Sequence, residues 1–217
     1  MAIRPLRFNA MAIPVLLALL AGAAVPALAQ DSGIYRVSGV AADDRLNIRA
    51  EPRSDAPVVG SFAPGAGRID VLEVRANAGA PWGRVIAGEA NGWVAMRFLA
   101  PDTAEPIEGT GVPVALTCGG TEPFWSLTFS QSRLRLSSPA EGDQVFDLAA
   151  RTTAEGRYNR FALVATRADR RLTAVLARGP ACSDGMSDRD YGWRIDLVDE
   201  AGELRLFEGC CHLPPVE

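Results

Sequence analysis

The sequence predicts an all-β protein in two units: a small bent barrel, then a larger antiparallel barrel or sandwich of about eight strands. Three observations carry this prediction. Past an apolar segment at the start, no 3.6-residue apolar period runs longer than about ten residues. Short apolar-rich runs recur roughly every ten residues between Gly, Pro and Asp clusters. One run, Tyr191-Gly192-Trp193-Arg194-Ile195-Asp196-Leu197, alternates apolar and polar with the period of a strand that has one wet face.

Residues 1–29 read as a secretory signal, with Arg4 and Arg7 before an apolar run from Met11 to Val25 and the small-x-small site Ala27-Leu28-Ala29 before Gln30. The run is shorter than the roughly 20 residues that span a bilayer and contains Pro14, so cleavage is expected rather than anchoring, with no membrane attachment afterwards. A periplasmic or secreted location follows. Residues 30–100 then show strand signals at Ile34–Val37, Leu46–Ile48, Val58–Phe62, Ile69–Val74, Trp82–Ile86 and Trp93–Met96. The stretch PDTAEPIEGTGVP has three Pro and three acids, and 101–112 is expected as a linker. Residues 113–217 supply the second unit, with signals at Pro113–Cys118, Phe124–Phe129, Leu134–Leu136, Val145–Leu148, Phe161–Ala165, Leu172–Ala177, Tyr191–Leu197 and Leu204–Leu206, where the leucines flank Arg205.

Composition removes several chemistries. The 22 basic residues are all Arg, and His212 is the one His. Schiff-base and P-loop lysines, paired-His zinc motifs and a His-activated nucleophile away from the C-terminus are therefore absent. A formal charge of −4 lacks the basic footprint of a nucleic-acid binder. No cofactor is implied. All four Cys (Cys118, Cys182, Cys210, Cys211) lie in the second unit, and an even count in an exported chain implies two disulfides. Adjacent strand residues face opposite ways, so Cys210 and Cys211 need separate partners, which leaves two pairings open.

Two resemblances add to this. LNIRAEPRSDAPVVGSFAPG, IDVLEV, WGRV and NGWVAMRFL, in that order, resemble the bacterial SH3 (SH3b) domain over 34–100. The resemblance implies a small SH3-like barrel that binds cell-wall peptide or a protein partner. Ala50-Glu51-Pro52-Arg53 departs from the family's usual Ser-Gly-Pro-Ser and puts a charge pair, Glu51 and Arg53, in the loop that borders the family's groove. Tyr35 and a half-exposed Trp82 are the aromatic groove candidates, while Trp93 reads as core. The second unit resembles an uncharacterised bacterial envelope-protein family through Cys118–Trp125 (CGGTEPFW), Cys182–Tyr191 (CSDGMSDRDY) and Gly209–Cys211 (GCC). That resemblance implies the pairing Cys182–Cys210 with Cys118–Cys211, and no activity.

Catalytic sets are incomplete, so no catalytic residue is assigned. Asp184 to Asp190 could ligate calcium, but the spacing is not that of an EF-hand and Arg189 interrupts it; a turn closed by Asp and Ser side chains is the simpler expectation. Glu122 and Asp184 could form a glycosidase pair, yet no spacing brings them together. Cys210-Cys211-His212 lacks the Cys-x-x-Cys spacing and a second His, so no metal site is expected and His212 reads as part of a polar tail. The expectation is an exported, non-enzymatic envelope protein whose SH3b module binds peptidoglycan peptide or an envelope protein. The alternatives are a wall hydrolase with an unrecognised carboxylate site and an inhibitor of lysozyme-like enzymes.

Overall fold

The computed structural model describes residues 32–216, and the expected signal over 1–29 lies outside them. Among the described residues no helix is long and apolar enough to cross a membrane.

The N-terminal unit holds β1 (Gly33–Val37), β2 (Leu46–Arg49), β3 (Val58–Phe62), β4 (Ile69–Val71), β5 (Glu73–Asn77), β6 (Ala80–Ala87), β7 (Ala90–Ala95) and β8 (Leu99–Pro101). They form a sheet β4-β1-β8 against a sheet β3-β2-β7-β6-β5, around a core that includes Tyr35, Leu46, Ile48, Val71, Val94 and Met96. The single strand expected over Ile69–Val74 is two strands. Leu72 breaks it by turning its N–H to the Arg84 carbonyl at 2.9 Å, which moves the chain from one sheet to the other.

The second unit is a closed barrel, and a sandwich is excluded. Its strands are β9 (Thr117–Thr121), β10 (Phe124–Phe129), β11 (Arg133–Ser138), β12 (Gly142–Thr153), β13 (Arg160–Arg167), β14 (Arg170–Ser183), β15 (Asp190–Ala201) and β16 (Glu203–His212). Each pairs with the next, and β16 returns to β9 through only Cys210–His212. Inward positions carry Leu127, Leu134, Phe146, Leu163, Leu176 and Trp193, all at most 1% exposed. Alternation along each pleated strand is what fills such a barrel with side chains.

The disulfides are Cys118–Cys211 and Cys182–Cys210. The first joins direct cross-strand neighbours inside the barrel and the second lies in a separate cluster with Tyr191. Cys210 and Cys211 thus serve opposite faces, as the pleat requires.

Three expectations change. The linker residues Ile107 and Val112 are fully buried in the barrel core, and Ile107 N–H bonds the Val112 carbonyl at 2.8 Å. Gln131, at the β10–β11 turn, bonds Glu105 and the Pro106 carbonyl, so 105–114 plugs that end of the barrel. Strand β16 is inverted: Leu204 and Leu206 are 71% and 70% exposed, whereas Arg205 points inward. His212 is no tail, since it ends β16, pairs with Thr117 and packs, tilted, against the Tyr191 ring at 6.0 Å.

The two units touch. Asp190 binds Arg84 at 2.6 Å and Asn91 through its backbone N–H at 2.7 Å; Arg178 reaches Asp70 at 3.3 Å; Gly67 and Val216 exchange backbone hydrogen bonds. Gly192, expected to face water, faces this contact. A Cβ there would sit 2.5 Å from Asp70 Oδ2, so any larger residue would have to displace that side chain from the contact.

Candidate functional site

The first site is a cleft of about 380 Å³ on the N-terminal unit. Strand β2 alternates, with Leu46 and Ile48 buried while Asn47 and Arg49 turn outward into the cleft. Arg45 and Arg97 add two more cations, and Asp44 is the one acid in the lining. Arg45 Nε donates to Ser61 Oγ at 2.8 Å and Arg49 Nη1 to the Ala56 carbonyl at 2.7 Å, which fixes both side chains. Arg97 is exposed and lies over the Phe98 ring at 4.7 Å. A basic cleft on an acidic chain concentrates anionic ligands.

Of the groove candidates, Trp82 lines this cleft. It is not half-exposed, however. At 7% exposure it packs with Trp93 and Ala95, because β6 and β7 pair Trp82 with Ala95 directly, and only the remaining part of the ring borders the cleft. Tyr35 is 7% exposed on β1, in the core of the other sheet, and does not line the cleft. Glu51 and Arg53 are exposed in the β2–β3 loop and bind each other at 3.1 Å, with Arg53 also on Asp55 at 2.8 Å. Their neighbour Ser54 lines the cleft, which puts the pair at its rim. The residues missed from sequence are Arg45, Arg49, Arg97 and Phe98. The polar half of LNIR was the available signal.

Residues 44–100 match the family model of the bacterial SH3 domain. The SH3 domain therefore contains the whole cleft except Gly39, Val40 and Ala41. No curated protein and no solved structure matches the chain.

The acidic loop of the second unit is a closed turn. The Asp184 carboxylate accepts from the N–H of Met186 (3.0 Å) and of Ser187 (2.9 Å), from Ser187 Oγ (3.1 Å) and from Tyr191 Oη (2.8 Å). Burial pushes its pKa up, but these donors outweigh it and hold the carboxyl down to about 2. Thr121 Oγ1 donates to the Asp184 carbonyl at 3.3 Å, so Glu122 and Asp184 do lie on adjoining segments. A carboxylate so committed is a poor proton donor or base near neutral pH. Among the described residues, no three His, Cys, Asp or Glu side chains gather as a metal site needs.

Proposed function

We propose that this chain is an exported, non-enzymatic binding protein of the cell envelope, and that its SH3 domain holds a cell-wall peptide or a peptide segment of an envelope protein in the Arg-lined cleft. The observation that carries the reading is the cleft itself: Arg45, Arg49 and Arg97 beside Trp82 and Phe98. Guanidinium groups suit the free carboxylates of a peptide, and the rings suit its alkyl parts. Two disulfides and the signal-like start support a periplasmic or secreted location. We also place 113–217 with the envelope-protein family that its three sequence blocks resemble. What supports this is that the blocks meet in space, through both disulfides and the Thr121–Asp184 contact.

The test is retention of the mature protein on isolated, protein-free peptidoglycan. Wild type should be retained, and Arg97→Glu together with Arg49→Glu should lose most retention, while Glu203→Arg on the far barrel does not. Equal retention of wild type and the double variant, or none above background, would count against the cleft.

A further inference from the structure

The barrel is open at the end opposite its plug. Strand β9 stops at Thr121, and β16 pairs with it only through Cys210–His212, so Glu203–Phe207 runs on without a β9 partner. The gap is a cavity of about 340 Å³, within the usual range of small-molecule sites. Its walls are largely apolar, from Phe124, Trp125, Leu136, Pro139 and Phe207.

Trp125 forms one wall and is held rigidly. Its ring occupies a niche left by two glycines: a Cβ on Gly120 would come within 2.4 Å of Nε1, and one on Gly209 within 2.9 Å of Cζ2. Phe207 leans on it at 6.2 Å.

The polar wall is a fixed ion cluster. Asp199 is fully buried and takes Arg170 Nε and Nη2 at 2.8 and 2.7 Å, plus Arg205 Nη2 at 2.5 Å. Glu141 receives Arg170 Nη1 at 2.6 Å and Arg205 Nη2 at 3.1 Å. Two cations and two anions balance. Arg205 spends only Nη2 on these acids, so its Nε–H and Nη1–H have no hydrogen-bond partner among the described residues. A fully buried carboxylate such as Asp199, with its partner cations, is costly compared with an apolar plug. The strand nevertheless turns Arg205 inward and leaves Leu204 and Leu206 in water, a departure from pattern of the kind that marks functional positions.

We propose that this cavity binds a small uncharged apolar molecule, whose body lies on Trp125 and Phe207 and whose carbonyl oxygen accepts hydrogen bonds from Arg205. The chemistry of the lining selects the class. A carboxylate would face Asp199 and Glu141, a cation would face two guanidiniums, and a plain hydrocarbon would leave the Arg205 donors unused.

Three probes of one chain length separate these cases: 2-octanone, octanoate and octylammonium, titrated into the ¹⁵N-labelled mature protein while the Trp125 indole resonance is followed. The ketone should shift it saturably, with the two ions at least about tenfold weaker. Arg205→Met should weaken the ketone about tenfold while Arg170 still neutralises Asp199, so the barrel keeps its spectrum. Ala140→Trp, on the exposed turn at the mouth, fills the cavity with Arg205 intact and should block binding. No saturable shift, octanoate binding as tightly as the ketone, or undiminished ketone binding in either variant would each overturn the proposal. Peptidoglycan retention is independent of all three.

Discussion

Replacing Cys118 and Cys211 together with Ala should cost the barrel about 4 kcal/mol. The bond spans 93 positions, but Cys182–Cys210 short-circuits 28 of them in the unfolded chain, so the loop that it closes is effectively about 65 residues. The chain-entropy relation then gives about 4.3 kcal/mol for this bond and about 3.6 kcal/mol for Cys182–Cys210. Structure adds a second reason for the inner bond to matter. It clamps the β16–β9 seam, which is three residue pairs long where β14–β15 has ten. A domain of this size has roughly 5–15 kcal/mol in total, so one bond is a large share. Urea unfolding of the two double variants, followed by Trp fluorescence and near-ultraviolet dichroism, measures both losses. A fall below about 1 kcal/mol for Cys118→Ala with Cys211→Ala would refute the reasoning, because loop closure alone predicts more. Residues 34–100 contain no Cys, so proteolysis of the reduced protein should leave that segment protected.

Two carboxylates predict opposite pH responses. Burial pushes Asp70 up, only partly offset by Arg178, and its Oδ2 has no hydrogen-bond partner among the described residues. A carboxyl whose folded pKa is raised destabilises the fold when ionised, so Asp70→Asn should be at least as stable as wild type at pH 7, with any gain vanishing towards pH ~4; a loss above about 1 kcal/mol at pH 7 would contradict this. Asp184 is the reverse. Held at about 2, it stabilises the fold above its unfolded pKa of about 4, and that contribution fades as pH falls from about 4 to 2. Allowing for its part exposure, Asp184→Asn should cost about 1–2 kcal/mol at pH 7 and much less near pH 2, read from thermal melts; a deficit that does not change with pH would rule out the carboxylate as its source.

Local pattern determined a good deal of this protein. Period-two alternation in 193–197 matched which side chains go inside, since Trp193, Ile195 and Leu197 are buried and a pleat turns the residues between them the other way. The same pleat assigned Cys210 and Cys211 to different partners. Turn chemistry likewise read correctly at Asp184, where the acceptor and its donors are neighbours in the chain. What failed were the positions decided by distant residues. Proline and acids made 101–112 look like a linker, yet Ile107 and Val112 fill the β10–β11 end of a barrel whose strands lie far along the chain. Trp82 loses its exposure to the β7 strand beside it and to Trp93. The inward Arg205 is decided by Asp199 across the hairpin, by Glu141 from the β11–β12 turn and by Arg170 at the start of β14, which binds both acids. Whether an arginine goes in or out depends on counter-charges that only closure of the barrel brings together.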